Sequence, residues 1–184
     1  QVYAWYSLLI SFGAKFASRF GYKHAILVSN VFYVIYWITL FSIANLPGLF
    51  FVAPLFFALQ KSWFWPAYDA DVALASAKTE RGREVGVLIS IMKISFILGP
   101  LLGGFVSELF GFLVLFISAA ALMLFSVYPL FRSPEIHSKH EFKLKNLWQV
   151  FKAHKSNFFG YFGYAEDLMV MSLWPVYMFI VISD

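Results

Sequence analysis

Long uncharged apolar runs separated by short connectors constrain this chain more than any other feature. Ala25 to Ala44 carries no formal charge, and neither does Leu109 to Phe131. A helix rises about 1.5 Å per residue, so roughly 20 apolar residues match the hydrocarbon thickness of a bilayer. Val85 to Ser107 meets that length with Lys93 as its one interruption. Gly48 to Ser76 meets it while carrying Lys61, Asp69 and Asp71, and Ser156 to Ser183 while carrying Glu166 and Asp167. With the opening run Gln1 to Ala14, the pattern predicts one partial and five complete spans. The expected fold class is all-α, a polytopic membrane helical bundle.

Composition excludes the soluble alternative. Apolar residues make up 61% of the 184, and charged residues 13%. A soluble domain of this size lacks the interior to hide so many apolar side chains. The surplus must face lipid.

The connectors fix a direction. Of the 14 Lys and Arg residues, all but Lys61 and Lys93 fall in alternate connectors, from Lys15, Arg19 and Lys23 through Lys78, Arg81 and Arg83 to the stretch from Arg132 to Lys155. The intervening turns "NLPG" (Asn45 to Gly48) and "SELFG" (Ser107 to Gly111) and the final "SD" have none. The positive-inside rule places the basic side in the cytoplasm. The net charge of +4 forms no single stripe, so anionic lipid headgroups are the expected partner and nucleic acid is not.

The chain opens at Gln1 inside an apolar run, without an initiator Met or a basic leader, and ends at Asp184 just past another. The expectation is an incomplete bundle, a fragment that continues beyond both ends. Its expected organisation is a first bundle over 1–131, a cytoplasmic linker over 132–155 and the first helix of a second bundle over 156–184. Within the linker, Leu144, Leu147, Trp148 and Phe151 recur at helical spacing among lysines, which predicts an interfacial amphipathic helix.

No cofactor or metal is expected. There are no cysteines, and His24, His137, His140 and His154 all lie in connectors without ligand spacing. No Gly-x-x-x-x-Gly-Lys-Ser/Thr loop is present to hold a nucleotide.

Ser95, Gly99, Gly103 and Ser107 recur every four residues, giving one smooth helix face that Gly104 widens and Pro100 bends. In lipid, small residues let helix backbones approach closely, so this face predicts a contact seam, either static or rocking. The stretch "SFILGPLLGG" resembles the fifth-helix signature of antiporters of the major facilitator superfamily, with Ser95 in place of the first Gly. "GAKFASRFGYKHAIL" resembles that superfamily's loop between its second and third helices, through Gly13, Arg19, Gly21 and Lys23. Ser18 stands where the family has Asp, and Tyr22 where it has a basic residue. The resemblance implies the second to seventh helices of a twelve-helix transporter. Physically, Gly13 allows close packing at a helix end and Gly21 a tight turn.

An ionisable side chain in a span costs about 3 kcal/mol to insert at mid-helix, so each is a candidate for function. Asp69 and Lys93 lie at nearly equal distances from the turn near Glu80 and Arg81, and are expected to share a depth and pair in at least one state. Lys61 lies closer to mid-membrane, where it either meets an anionic group or snorkels. Asp71, about 200° round the helix from Asp69, marks the cytoplasmic exit of its span. Of Glu166 and Asp167, one is expected to line a cavity and carry a proton. The clusters Trp63 to Tyr68 and Trp174 to Tyr177 offer stacking surfaces for a substrate or plain packing.

These features predict a secondary active transporter of a small solute in the plasma membrane, working by alternating access and coupled to protons, with efflux or antiport as its direction. A non-transporting sensor or scaffold on the same fold is the alternative. A membrane-embedded enzyme fits less well, because no nucleophile, base or metal cluster shares one depth.

Overall fold

Within a bilayer no water is available to peptide groups, so a chain this apolar must satisfy its backbone internally, and helix is the local solution. A computed structural model describes residues 1–77, 79–132, 146–160, 173–174 and 176–182. Among them the regular elements are all helical. Two compact units emerge, Gln1–Phe142 and Lys143–Asp184. The division falls inside the stretch expected to be a linker.

In the first unit, helix α1 spans Val2–Phe20 and α2 spans Tyr22–Ser42. A single residue separates them. Gly21 adopts φ 103° and ψ 155°, a region open to glycine and strained for other residues. The first run is thus longer than Gln1 to Ala14. Lys15 and Arg19 extend α1, because long exposed basic side chains reach the interface without ending a helix, while Lys23, in the first turn of α2, is buried. A short 3-10 helix, Pro47–Phe51, leads into α3, Ala53–Ala75, with Pro54 in the first turn, where its missing N–H costs nothing. The helical part of this span begins five residues later than Gly48.

Helix α4 runs from Arg81 to Ser126. Its backbone stays helical through Pro100 and through most of "SELFG"; the break falls on Gly111 alone, at φ 82° and ψ 167°. A straight helix would hold Gly103 and Leu115 about 18 Å apart. Instead, a Cβ placed on Gly103 would lie 3.8 Å from Leu115 Cδ1. The chain therefore folds back sharply at Gly111, and α4 is two arms. "SELFG" is helix almost to the turn, because only glycine supplies that left-handed conformation cheaply.

The returning arm runs antiparallel to α2. His24 meets Phe131 (rings 6.1 Å apart), Asn30 Nδ2 donates to the Met123 carbonyl (3.0 Å), and Trp37 meets Phe116 (5.4 Å). Each step along α2 is matched by a step back along the arm. Basic residues consequently gather on one side: Arg19 at the end of α1, Lys23 at the start of α2, Arg81 and Arg83 at the start of α4, and Arg132 in the short 3-10 helix that follows the arm.

The core lies where α3 packs extensively on both α1 and α2. It is built from small residues. Gly13, Ala17, Gly21, Ala25 and Ser29 recur every four positions across the first two helices, and all five are buried, as are Ala58, Ser62 and Ala67 of α3. The closest approach is between Gly13 and the backbone at Ser62: a Cβ on Gly13 would fall inside that carbonyl. Pro66 has no N–H to offer the Ser62 carbonyl one turn back, so a proline in α3 and a glycine in α1 meet at one point.

Outside this core the surface is oily. Ile97 is 72% exposed and Phe125 75%, and no residue of α4 is buried. Such a surface is stable against lipid, not water. Hydroxyls within it turn inward: Ser95 Oγ bonds the Ile91 carbonyl and Ser107 Oγ that of Gly104, both at 2.9 Å.

In the second unit, the expected amphipathic helix is a seven-residue α5, Leu147–Ala153, followed after His154 by α6, Lys155–Gly160. Trp148 stacks on Phe151 at 5.4 Å, with the Lys152 ammonium 5.5 Å over Trp148. Residues 176–182 are helical.

Candidate functional site

Asp69 lies in an apolar cleft of about 300 Å³ between α3 and the first arm of α4. Trp65, Tyr68, Asp69 and Val72 follow the i, i+3, i+4, i+7 rule of one α3 face. Val85, Leu88, Ile89 and Met92 follow the same rule on α4, with Arg81 one turn earlier. Among the described residues no other carboxylate lines it. The two helices touch only sparsely, so the cleft is held open along its length.

Arg81 closes the end of the cleft nearest the α3–α4 connection. Its Nη2 donates to the Ala73 carbonyl at 2.7 Å, one of the last carbonyls of α3 and without a partner further along the helix. A second cleft, about 610 Å³, takes Asp71 with Arg83 and Glu84; Val72 and Leu88 form the wall common to both. Asp69 and Asp71 thus serve different clefts, as their angular separation on the helix requires. The Arg83–Glu80 ion pair, at 2.6 Å, is exposed on both sides and contributes little.

Lys93 is exposed and follows Met92, the last α4 residue to line the cleft. No ion pair joins it to Asp69 in this conformation. Lys61 lies two turns before Asp69 on α3, about 12 Å along the axis. Its Nζ lies 4.9 Å from the Phe57 ring centre and 5.7 Å from that of Tyr3. Glu166 and Asp167 lie outside the described residues.

The two glycine patterns behave differently. Gly13 and Gly21 sit in the core, Lys23 is 2% exposed beside them, and Arg19 lies over Phe20 at 5.4 Å. On α4, Gly99 and Gly104 have nothing within 4 Å of a would-be Cβ, and Gly103 meets only Leu115 of the same hairpin. Ser95, Gly99, Pro100, Gly103 and Gly104 form an open face, with no described helix packed on it. The tight seam belongs to α1 and α3.

Two features are not evident in the sequence. Arg81 marks topology there, yet as the first residue of a new helix it is also placed to reach back and cap the preceding one. The aromatic surround of Lys61 joins Phe57, one turn earlier on α3, to Tyr3 of α1, and local spacing announces only the first of these.

A family profile described as Major Facilitator Superfamily matches residues 2–183. The chain is 26% identical over 134 residues to multidrug resistance protein 2 of Bacillus subtilis, covering 71% of this chain and 33% of the relative. It is 24% identical over 129 residues to multidrug resistance protein 1 of the same organism, covering 69% of this chain and 33% of the relative. The chain spans about a third of the length of the curated relatives it matches.

Proposed function

The chain belongs to the major facilitator superfamily, whose members sit in lipid bilayers, and on that premise we propose that it forms the second to seventh helices of a twelve-helix secondary transporter. The transporter moves a small amphipathic solute by alternating access, couples that movement to protons, and exports it across the plasma membrane. It is a carrier and not an enzyme. The two Bacillus relatives, named as multidrug resistance proteins, support export.

The observation that carries the coupling role is Asp69, the one carboxylate among the described lining residues of a largely apolar and aromatic cleft whose basic residue, Arg81, bonds the Ala73 carbonyl. A charge in so apolar a setting is costly to move, so a carboxyl that takes up a proton before the helices move, and releases it after, lowers the barrier to the change. The sparse contact between α3 and α4 supports the first arm of α4 as the moving element. In vesicles holding the full-length protein, an imposed proton gradient should drive a lipophilic dye against its concentration. Asp69→Asn should abolish that uphill movement while leaving downhill exchange. Uphill transport at the original rate by the variant would remove Asp69 from coupling.

A non-transporting sensor or scaffold is the second reading. It is favoured by Ser18, whose hydroxyl bonds its own helix at the Lys15 carbonyl (2.9 Å) where the family carries an acid. Absence of any gradient-driven movement in the same vesicles would favour it.

A further inference from the structure

The first three helices gather hydrogen-bond donors in the half of the bundle away from the basic ends. Tyr3 comes from α1; Tyr33, Tyr36 and Trp37 from α2; Lys61, beside Phe57, from α3. Phe57 stacks with Tyr36 at 4.9 Å (interplanar angle 14°) and with Tyr33 at 5.9 Å (17°). Trp37 continues the set, 5.8 Å from Tyr36. The Lys61 ammonium lies over the near end of this stack.

Lysine and tryptophan side chains donate hydrogen bonds and accept none. Among the described residues the Lys61 ammonium has ring faces for neighbours and no carboxylate. The Trp37 indole N–H is shut off from solvent and has no acceptor among the described residues. Ring faces recover less for a cation than its place in a span costs. A cation with unfilled donor capacity, beside parallel aromatic planes that each keep some accessible surface, is complementary to one kind of solute. That solute is a flat apolar body bearing a carboxylate.

We infer that Lys61 and the Tyr33–Tyr36–Phe57 stack form a binding site for aromatic carboxylates, with the ammonium taking the carboxylate and the stack the ring. This deepens the carrier reading and rests on it for the solute's passage, while binding itself does not require transport. The side chain of a helical residue leans towards the helix N-terminus, which carries the Lys61 ammonium towards Phe57 and the non-basic side. The site therefore lies on the other side of Asp69 from the cytoplasm, and a proton site and an anion site share one helix.

The test is calorimetric binding of 1-naphthoate to the full-length protein in phosphatidylcholine nanodiscs, with 1-naphthylmethylamine as the cationic isostere. Naphthoate should bind at least about tenfold more tightly than the amine. Lys61→Gln should weaken it by about tenfold or more, the loss that a charge-assisted hydrogen bond carries, while Lys61→Arg retains most of the affinity. Tyr36→Leu should weaken both probes by a similar few-fold factor, since it removes stacking and no charge. Equal binding of the two probes, or unchanged naphthoate affinity in Lys61→Gln, would overturn the inference. The two readings fail separately. Dye export without naphthoate binding sinks the anion site alone, whereas Lys61-dependent binding with no gradient-driven transport keeps the site and sinks the carrier.

Discussion

Gly13→Ala adds one methyl group at the tightest point of the molecule. Built on the existing backbone, that methyl would lie 2.5 Å from the Ser62 carbonyl carbon, 3.0 Å from the Trp63 nitrogen, and closer still to the Ser62 oxygen. Ordinary contact begins near 3.4 Å, so α1 and α3 must part by about an ångström. The obstacle is backbone, which cannot swing aside as a side-chain tip does. Overpacking costs about 1–3 kcal/mol, and this site belongs at the upper end. Alanine returns about 1 kcal/mol in helix propensity, leaving a net loss of about 2 kcal/mol. At about 2–4 °C per kcal/mol for a chain of this size, the midpoint of thermal unfolding should fall by about 4–8 °C. The assay is a thermal melt of the full-length protein in nanodiscs, with Gly48→Ala as the control. Gly48 has nothing within 4 Å of its would-be Cβ and no positive φ, and should shift by no more than about 2 °C. Equal midpoints for the two variants would refute the claim that the α1–α3 seam sets the packing.

Two further predictions concern the hairpin. Gly111→Ala forces a Cβ into φ 82°, at a cost of about 1–2 kcal/mol, and should lower the same midpoint although nothing surrounds the site; an unchanged midpoint would mean the turn is made elsewhere. Asn30→Leu removes the bond to the Met123 carbonyl and should cost about 0.6–2 kcal/mol, visible as a lower midpoint and as faster proteolysis of the returning arm; a higher midpoint would show that the polar contact contributes nothing to holding the arm.

The parts of the fold that depend on length and charge can be read along the sequence. Apolar runs, the reversal near "SELFG" and the one-sided basic residues all follow from counts within one segment. The packing partner of a small-residue face cannot be read this way. The face from Ser95 to Ser107 and the series from Gly13 to Ser29 share the same four-residue period, yet only the second is packed in the described structure. What decides between them is Ser62 and Pro66, forty-nine and fifty-three residues away from Gly13, which turn a carbonyl towards the space where a Cβ would be. The same limit applies to the sites. Asp69 and Lys61 are conspicuous because charge in an apolar span is conspicuous. Whether Asp69 faces Lys93 or Arg81 depends on the rotation of α4, and a helix exposed on all sides fixes that rotation weakly.

The central claim is that the chain crosses a bilayer repeatedly, with its basic helix ends on one face. Single cysteines at Glu80 and Asn45, labelled with an impermeant maleimide in sealed vesicles of known orientation, test it most directly. The account predicts that Glu80→Cys reacts from the cytoplasmic side and Asn45→Cys from the opposite side. Labelling of both from one compartment would contradict it.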